Sequence, residues 1–482
     1  MKKQSRILCF LLAALLCSCG QAANDGPSET TADSGASDTT AAETEYLPDR
    51  DYEGADFNML VRTEFLYEFG AEESGDVVDD AVYARNRAIE EKYNITLKLT
   101  DVAGSFSLRD TFLGVLSNDI LSGSGEFDLV ASAANYMLPV IPEGYFLDLC
   151  DTPFIDLSKP WWSKGYVDNM MIDNSLYLAT GSASMNLLEN MCVIFFNKQM
   201  IEDYDLDDPY TLVESGDWTF GRMMDAARTV NSDLNGNDKL DSEDRVGLFT
   251  YGNMTIAQQV SFGLPFSERD ADGYPRITYM SERMADAFEL IKGCLAADEI
   301  CMYEGTGDTL KRVAEMQSAF QNNNILYMAQ VLSSAGVMRS MSTDFGILPM
   351  PKLDDEQERY YTCVLENLTV LGIPSSVEDD ELSGLVLESM AQIGHETVTP
   401  TYFGKALGAK YIRDEQSNEM LELIRDSAWF DFAYLNSVSL DNINHLFNNN
   451  LNGSLVSAFE GKREIYESKL ETLLDGYRKL KE

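Results

Sequence analysis

Apolar and polar positions along the chain follow two periods, and the switch between them marks out the elements. Phe57 to Val61 is a short apolar run that predicts a first strand. Val78, Ala81, Val82, Ile89 and Tyr93 fall at helical spacing and predict an amphipathic helix over 78–93. Ile95–Leu99 alternates and predicts a second strand, and Phe127–Val130 predicts a third. Strand, helix, strand, helix, strand is the rhythm of an α/β domain with a mostly parallel sheet. Further on, Cys192–Phe196 predicts a strand followed by a helical stretch over 218–229, and Phe345–Leu348 and Leu368–Ile373 predict later strands. Val456, Phe459, Ile465, Leu470, Leu473 and Leu474 lie at helical spacing, so 454–482 is expected to end the chain in helix. No internal repeat is visible. Open α/β sheets bind ligands beyond the carboxyl ends of their strands. That rule points to Arg62, Thr63 and Glu64 after the first strand, and to Asn135 and Tyr136 after the third.

The amino terminus has a different pattern. Lys2, Lys3 and Arg6 precede an apolar run from Ile7 to Leu16, shorter than the roughly 20 residues that span a bilayer. A basic segment before a short apolar one is an export signal. The run ends in Leu16-Cys17-Ser18-Cys19-Gly20, which resembles the lipobox of bacterial lipoproteins, with Ser18 the small residue before the acceptor Cys19. The resemblance implies a signal peptide over 1–18 and a lipid on Cys19. The residues that follow are almost all small, polar or acidic. They cannot bury enough apolar surface to offset their ordering entropy, so 19–50 is expected to be a lipidated, disordered tether reaching roughly 30 Å.

Composition narrows the reading. About 430 residues follow the tether, enough for two or three domains. The formal charge of −44 argues against nucleic acid and against adhesion to anionic lipid, and it makes divalent cations plausible partners. Five of the eight cysteines (Cys150, Cys192, Cys294, Cys301 and Cys363) lie beyond the signal and the anchor. An odd number cannot all pair. Cys192 and Cys363 sit in apolar contexts and read as buried small hydrophobes. Cys294 and Cys301 could form a bridge, with free thiols the preferred reading.

Several segments, taken in order, resemble extracellular solute-binding proteins of ABC importers, in the large carbohydrate-binding family that includes maltose-binding protein. Asp79–Arg87 with Ile89–Ile95 resembles the family's first helix. Phe196-Asn197-Lys198 resembles its strand ending in Asn-Lys, and Gly216–Phe220 its tryptophan-led helix start. Ala319-Phe320 with Ile325–Tyr327 resembles a late strand, Phe345–Lys352 a "GxLPxP" turn, and Lys410–Asp414 a clostridial-type subgroup. Met328–Ser333, where the family places a sugar-stacking tryptophan, has no aromatic residue. The resemblance implies a periplasmic-binding-protein type II fold: two α/β lobes joined by a hinge that close on ligand. One lobe is expected over 51–163 plus 361–408, the other over 164–360 plus 409–482. It also implies a monomer that is no enzyme. Such a chain would sit at the outer face of the cytoplasmic membrane, bind a solute, expected to be an oligosaccharide, and pass it to ABC permease subunits. A surface glycan-binding lipoprotein without a transporter and a lipid-anchored glycoside hydrolase are the alternatives.

Candidate chemistry falls in three places. In Asp233–Asp244, oxygen ligands are offered by Asp233, Asn235, Asn237, the Lys239 carbonyl, Asp241 and Asp244. That spacing is the Ca²⁺-loop arrangement and resembles the loops of dockerins and EF-hands, although Asp238 stands where those loops have glycine. A structural Ca²⁺ is expected there. Aromatic faces stack on sugars, which makes Trp161 and Trp162 near the expected hinge, and Trp429 in the carboxyl-terminal part, candidate ligand contacts; Trp218 reads as structural. Where the chain is expected to cross between lobes, Glu189, Asn190, Glu366 and Asn367 offer carboxylates and amides to ligand hydroxyls. His395 and His445 have no spaced partners, and no GxSxG, P-loop or HExxH motif is present.

Overall fold

The computed structural model of the chain describes residues 47–303, 309–404 and 415–481. The signal, Cys19 and most of the expected tether lie outside the described residues. The tether as drawn from sequence runs too far. Leu47 is 2% exposed, its carbonyl accepts from Lys92 Nζ at 3.3 Å, and Arg50 pairs with Glu381 at 2.5 Å. One buried leucine is enough to hold the chain to the body from that point.

The first strand, β1 (Ala55–Arg62), is followed by the helix Val77–Tyr93, then β2 (Ile95–Val102), the helix Arg109–Ser122 and β3 (Leu129–Ala133). The first helix starts where Asp76 accepts from the Val78 amide at 3.0 Å and stops at Asn94, which is left-handed at φ 48. Its buried stripe is Val82, Arg85, Ile89 and Tyr93. β3 begins two residues later than the apolar run suggests; just before it, Asp128 is already tied to β1, its amide donating to the Asn58 carbonyl at 2.8 Å and its carboxylate accepting from the Asn58 amide at 2.7 Å.

The chain then enters a second sheet with β4 (Cys192–Asn197) and β5 (Val246–Tyr251). After the hairpin of β6 (Ser267–Arg269) and β7 (Pro275–Ile277) it adds β8 (Cys301–Tyr303), β9 (Ile325–Val331) and β10 (Phe345–Pro349). It returns through β11 (Thr362–Cys363) to β12 (Thr369–Gly372), continues into the helix Asp380–Ile393, and crosses again at β13 (Ala428–Trp429).

The order of the first sheet is β12-β3-β1-β2 and that of the second is β10-β4-β9-β5-β8. β1 is parallel to β2 and β3, whereas β12 runs antiparallel to β3 with Thr369 opposite Ala133. β5 is parallel to β8 and β9, whereas β4 is antiparallel to β9 and β10. The antiparallel insertions place the starts of β12 and β4 at the same sheet edges as the ends of their parallel neighbours.

Three crossing segments lie side by side between the sheets. Met191 bridges Val364, the Leu365 amide donates to the Asn190 carbonyl at 3.1 Å, and β11 pairs in parallel with β13. The predicted terminal helix is two, Leu455–Glu460 and Arg463–Lys479, separated at Gly461-Lys462. The longer one touches both sides of the molecule: Tyr477 meets Tyr177 at 6.0 Å, Lys481 pairs with Asp148 at 3.1 Å, and Arg478 lies 5.0 Å over Tyr274 of the hairpin. No described helix is long and apolar enough to cross a membrane.

Candidate functional site

The converging sheet edges meet at the crossing segments, and the residues there are polar. β1 ends in Arg62, which is 4% exposed. Its Nη2 donates to the Asn367 carbonyl at 3.0 Å and to Thr369 Oγ1 at 3.2 Å, and sits 3.5 Å from Asn186 Oδ1. The guanidinium lies 3.7 Å over the Phe65 ring. β3 ends at Ala133, and a single helical turn carries Asn135, whose amide donates to the Glu366 carbonyl at 2.9 Å. Arg62 Nε and Asn135 Oδ1 are buried without a partner in the protein. Both flank the segment Glu366–Leu368.

A buried carboxylate ties the crossings together. Glu68 ends the turn after β1 and accepts from Thr369 Oγ1 at 2.7 Å, from the Asn186 amide at 3.2 Å and from the Ser184 hydroxyl. Burial pushes its proton affinity up, while those donors and the Arg62 charge pull it back. Arg85 passes behind it and donates to the carbonyls of Ala183 at 2.9 Å and Glu68 at 3.0 Å. Sequence reasoning missed both residues, though each left a signal. Arg85 occupies an apolar position of its helix, and Glu68 lies inside Phe65–Phe69, an otherwise aromatic and aliphatic stretch.

The four residues expected at the crossings all lie there. Asn190 donates from Nδ2 to Asn186 Oδ1 at 2.7 Å. Glu189 accepts from the Tyr67 hydroxyl, and burial raises its carboxyl to about 7. Glu366 accepts from the Tyr434 hydroxyl at 3.1 Å, with Asn444 Nδ2 at 3.5 Å, and Asn367 gives its carbonyl to Arg62. From the second sheet, Tyr251 at the end of β5 donates to Gln330 of β9 at 3.0 Å, and the Glu366 charge acts on that tyrosine.

Other candidates stand elsewhere. Glu64 is exposed and accepts the amides of Gly104 at 3.0 Å and Ser105 at 2.8 Å, so it braces a loop. Tyr136 is 4% exposed and donates to the Gly104 carbonyl at 2.5 Å, which spends its hydroxyl inside the core. Trp161 and Trp162 donate their indole N–H groups to the two oxygens of the buried Glu388, at 2.8 and 3.0 Å. They wall a cavity of about 450 Å³ that also meets Ser182, Leu187, His395 and Arg425. Ser184, whose hydroxyl is on Glu68, and Met191, which bridges Val364, also line it, so the cavity adjoins the crossing segments. Trp429 is half-buried on β13 and faces Tyr361 across 5.7 Å, beside a second cavity of about 470 Å³. Trp218 is fully buried, its N–H on the Pro349 carbonyl at 2.9 Å, as its structural reading requires. The five cysteines beyond the signal are free thiols.

The acidic loop closes on itself. Asp233 accepts from the Gly236 and Asp238 amides at 2.6 and 2.9 Å. The fully buried Asp244 accepts from Leu234 and Asp241 at 2.8 and 3.0 Å. Asn235 and Asn237 turn their amide nitrogens onto Asp241, at 3.1 and 2.7 Å. Glycine at position 236 and Asp238 take the left-handed turns, at φ 75 and φ 60. Among the described residues, no three His, Cys, Asp or Glu side chains are gathered as a metal-holding group. An oxygen site at this loop would therefore need the asparagine carbonyls turned inward and the Lys239 carbonyl as a further donor.

No protein-family model matches the chain, and no curated protein matches it by sequence. Solved structures do. The galacto-N-biose/lacto-N-biose I-binding protein of an ABC transporter from Bifidobacterium longum, in complex with lacto-N-biose, is similar at TM-score 0.58 and 12% identity, over 87% of this chain and 98% of that one. A cyclo/maltodextrin-binding protein with maltotetraose is similar at TM-score 0.57 and 11% identity, over 87% and 99%. The GacH receptor of Streptomyces glaucescens GLA.O, solved unliganded and with acarbose, is similar at TM-score 0.53 and 14% identity, over 89% and 98%. The chain has the fold of the solute-binding proteins of ABC transporters. That is the two-lobed type II architecture expected from the motifs, and the likeness spans nearly the whole of each neighbour.

Proposed function

We propose that the chain is the substrate-binding component of an ABC importer, a receptor without catalysis that captures an oligosaccharide between its lobes and passes it to a permease. The observation that carries this reading is the meeting of both sheet edges at the crossings. Arg62, Asn135, Asn190 and Glu366 stand there with an unpaired buried donor and an unpaired buried acceptor. A sugar hydroxyl donates and accepts at once, and so complements both. The two atoms are covered in this conformation, so ligand entry requires the lobes to part, and closure on ligand is then a population shift. The three structural neighbours, crystallised with saccharides or an acarbose-type ligand, support the same class.

The carboxylates at the junction favour binding over hydrolysis. Glu68 holds three donors, Glu366 is held by Tyr434, and Glu189 by Tyr67. A glycosidase needs one carboxyl as acid and a second as base or nucleophile, both turned to the scissile bond, whereas these three are turned to donors of the protein. The test is a thermal-shift and calorimetric screen with lacto-N-biose, maltotetraose and acarbose. A stabilised melting transition with at least one saccharide, lost in Asn135→Ala, is expected. No response to any saccharide removes the ligand class, and release of reducing sugar removes the receptor reading.

Two further parts of the proposal concern place and metal. Lipidation at Cys19 would hold the receptor at the outer face of the membrane, at high local concentration beside its permease. Cys19→Ala is expected to release the protein into the soluble fraction. Ca²⁺ at Asp233–Asp244 would brace the loop that leads into β5. Its support is the oxygen spacing and the convergence of Asn235 and Asn237 on Asp241. A melting temperature unmoved by chelator and by added CaCl₂ would dismiss it.

A further inference from the structure

The cavity beside β13 has a chemistry of its own. The turn that ends the helix Gly252–Ser261 contains Gly263 at φ +67, and a Cβ there would stand 2.7 Å from Tyr361 Cε2. Glycine therefore lets the Tyr361 ring lie against backbone. The ring is tilted 59° to Trp429, which makes an aromatic corner. Trp161, Trp162 and Trp218 are 9%, 3% and 0% exposed, and each has spent its indole N–H inside the protein. Trp429 is the half-exposed one, and its N–H has no partner among the described residues.

The charges around the corner are unequally committed. Arg269 donates to the carbonyls of Asn169 at 2.9 Å, Met171 at 2.7 Å and Gly273. Glu268 pairs with Arg276 at 3.2 Å. Asp431, 3% exposed, accepts from Phe266, Ser267 and Tyr434 at 2.9 to 3.0 Å. Arg359 is exposed, its guanidinium 4.6 Å over the Tyr361 ring, and no carboxylate pairs with it among the described residues. In a chain with 80 acids and 36 bases, that leaves one cation at the rim of an aromatic pocket for something from outside.

We propose that this cavity is a second saccharide site, for a pyranose ring carrying a carboxylate, as in a uronic-acid oligosaccharide. The sugar's C–H face stacks on Trp429, and its carboxylate takes charge-assisted hydrogen bonds from Arg359. The volume of about 470 Å³ falls within the size range of small-ligand pockets. The site is distinct from the lobe junction. Tyr361 and Glu366 lie on one extended segment, roughly 16 Å apart at strand rise. Tyr434 stands between them, with Cys363 Sγ at 3.5 Å and Glu366 at 3.1 Å.

The test uses the full chain and tryptophan fluorescence quenched by acrylamide, which reads chiefly the accessible Trp429. Trigalacturonate is the acidic probe and maltotetraose the neutral one. Trigalacturonate is expected to lower the quenching constant about twofold, and Trp429→Phe to abolish the change. Arg359→Ala, at an exposed position that leaves the melting temperature unchanged, is expected to weaken the acidic probe about tenfold or more, the usual loss for a hydrogen bond to a charged group. Absence of protection by trigalacturonate overturns the site. Protection that survives Arg359→Ala, or that maltotetraose matches, overturns the acidic ligand class. Neither result bears on saccharide capture at the lobe junction, which the thermal-shift screen reads separately.

Discussion

Replacing Glu68 by alanine is expected to cost far more than its single charge suggests. The side chain is 1% exposed and serves three donors from two crossing segments: Thr369 Oγ1 at 2.7 Å, the Asn186 amide at 3.2 Å, and the Ser184 hydroxyl. On truncation the two hydroxyls can rotate to other acceptors and the Asn186 amide is left with Ser184 Oγ at 3.1 Å alone; losing a hydrogen bond to a charged acceptor costs about 1.5–3 kcal/mol. Arg62, also buried, loses the carboxylate that acts on it, and removing one member of a buried charge pair costs about 3–5 kcal/mol. The two penalties overlap, so the expected loss is about 3–5 kcal/mol. Glu68→Gln separates hydrogen bonding from charge. Its carbonyl can serve Asn186 and Ser184 while its nitrogen donates to the Thr369 hydroxyl, and its expected cost is about 1 kcal/mol. Urea unfolding followed by far-ultraviolet dichroism measures both. An alanine variant within about 1 kcal/mol of the parent, or a glutamine variant as unstable as the alanine, would refute the account of the crossings given above.

Other expectations concern single groups. Glu189 has a carboxyl raised to about 7 from 4.5, so the folded form keeps a proton that the unfolded form has lost. That contribution to stability is fully present below pH 4.5 and is lost as pH rises through 7. Glu189→Gln should flatten part of that fall, with Glu68 and Asp431, also raised by burial, keeping the remainder; a stability–pH profile that superimposes on the parent's would exclude the assignment. Among the five cysteines beyond the signal, only Cys150 is exposed, with its thiol raised to about 11 by burial of its sulfur and by Asp148. Peptide mapping after brief maleimide treatment should find label there first, at a rate that climbs with pH; early label on Cys192 or Cys363 would contradict the packing. Gly181→Ala would drive a Cβ into the Trp161 carbonyl oxygen. Overpacking against backbone costs typically about 1–3 kcal/mol, so the melting temperature should drop, and an unchanged one would show that the Trp161–Gly181 contact is loose.

What could be read in the sequence was local and periodic. Val77–Tyr93 was legible because its apolar residues repeat at three and four, and β12 because a run of apolar residues over 368–373 allows little else. The start of β3 was not legible, because the bonds that Asp128 makes to Asn58, one by its amide and one by its carboxylate, leave no trace in hydropathy. The crossings were located through the family resemblance, which put Glu189-Asn190 and Glu366-Asn367 there, yet Glu68 and Asn186 at their centre were not. Those two are defined by partners more than a hundred residues away in sequence. The tryptophans show the same limit: Trp161 and Trp162 wall a cavity, but Glu388, the distant residue that takes their indole N–H groups, could not be read from the sequence.

The pairing of β3 with β12 sets a timetable for the nascent chain. Ala133 and Thr369 meet across more than two hundred intervening residues, and the helix Asp380–Ile393 that packs beside them is made later still. At synthesis rates of about 5–20 residues per second, the first sheet must wait tens of seconds for its edge strand. No early fragment contains a closed first lobe, and the loop-closure entropy of the late contact must be met before that contact contributes. A chain threaded outward through a membrane during that interval would be handled open, and its first lobe would close only after its return strand had emerged.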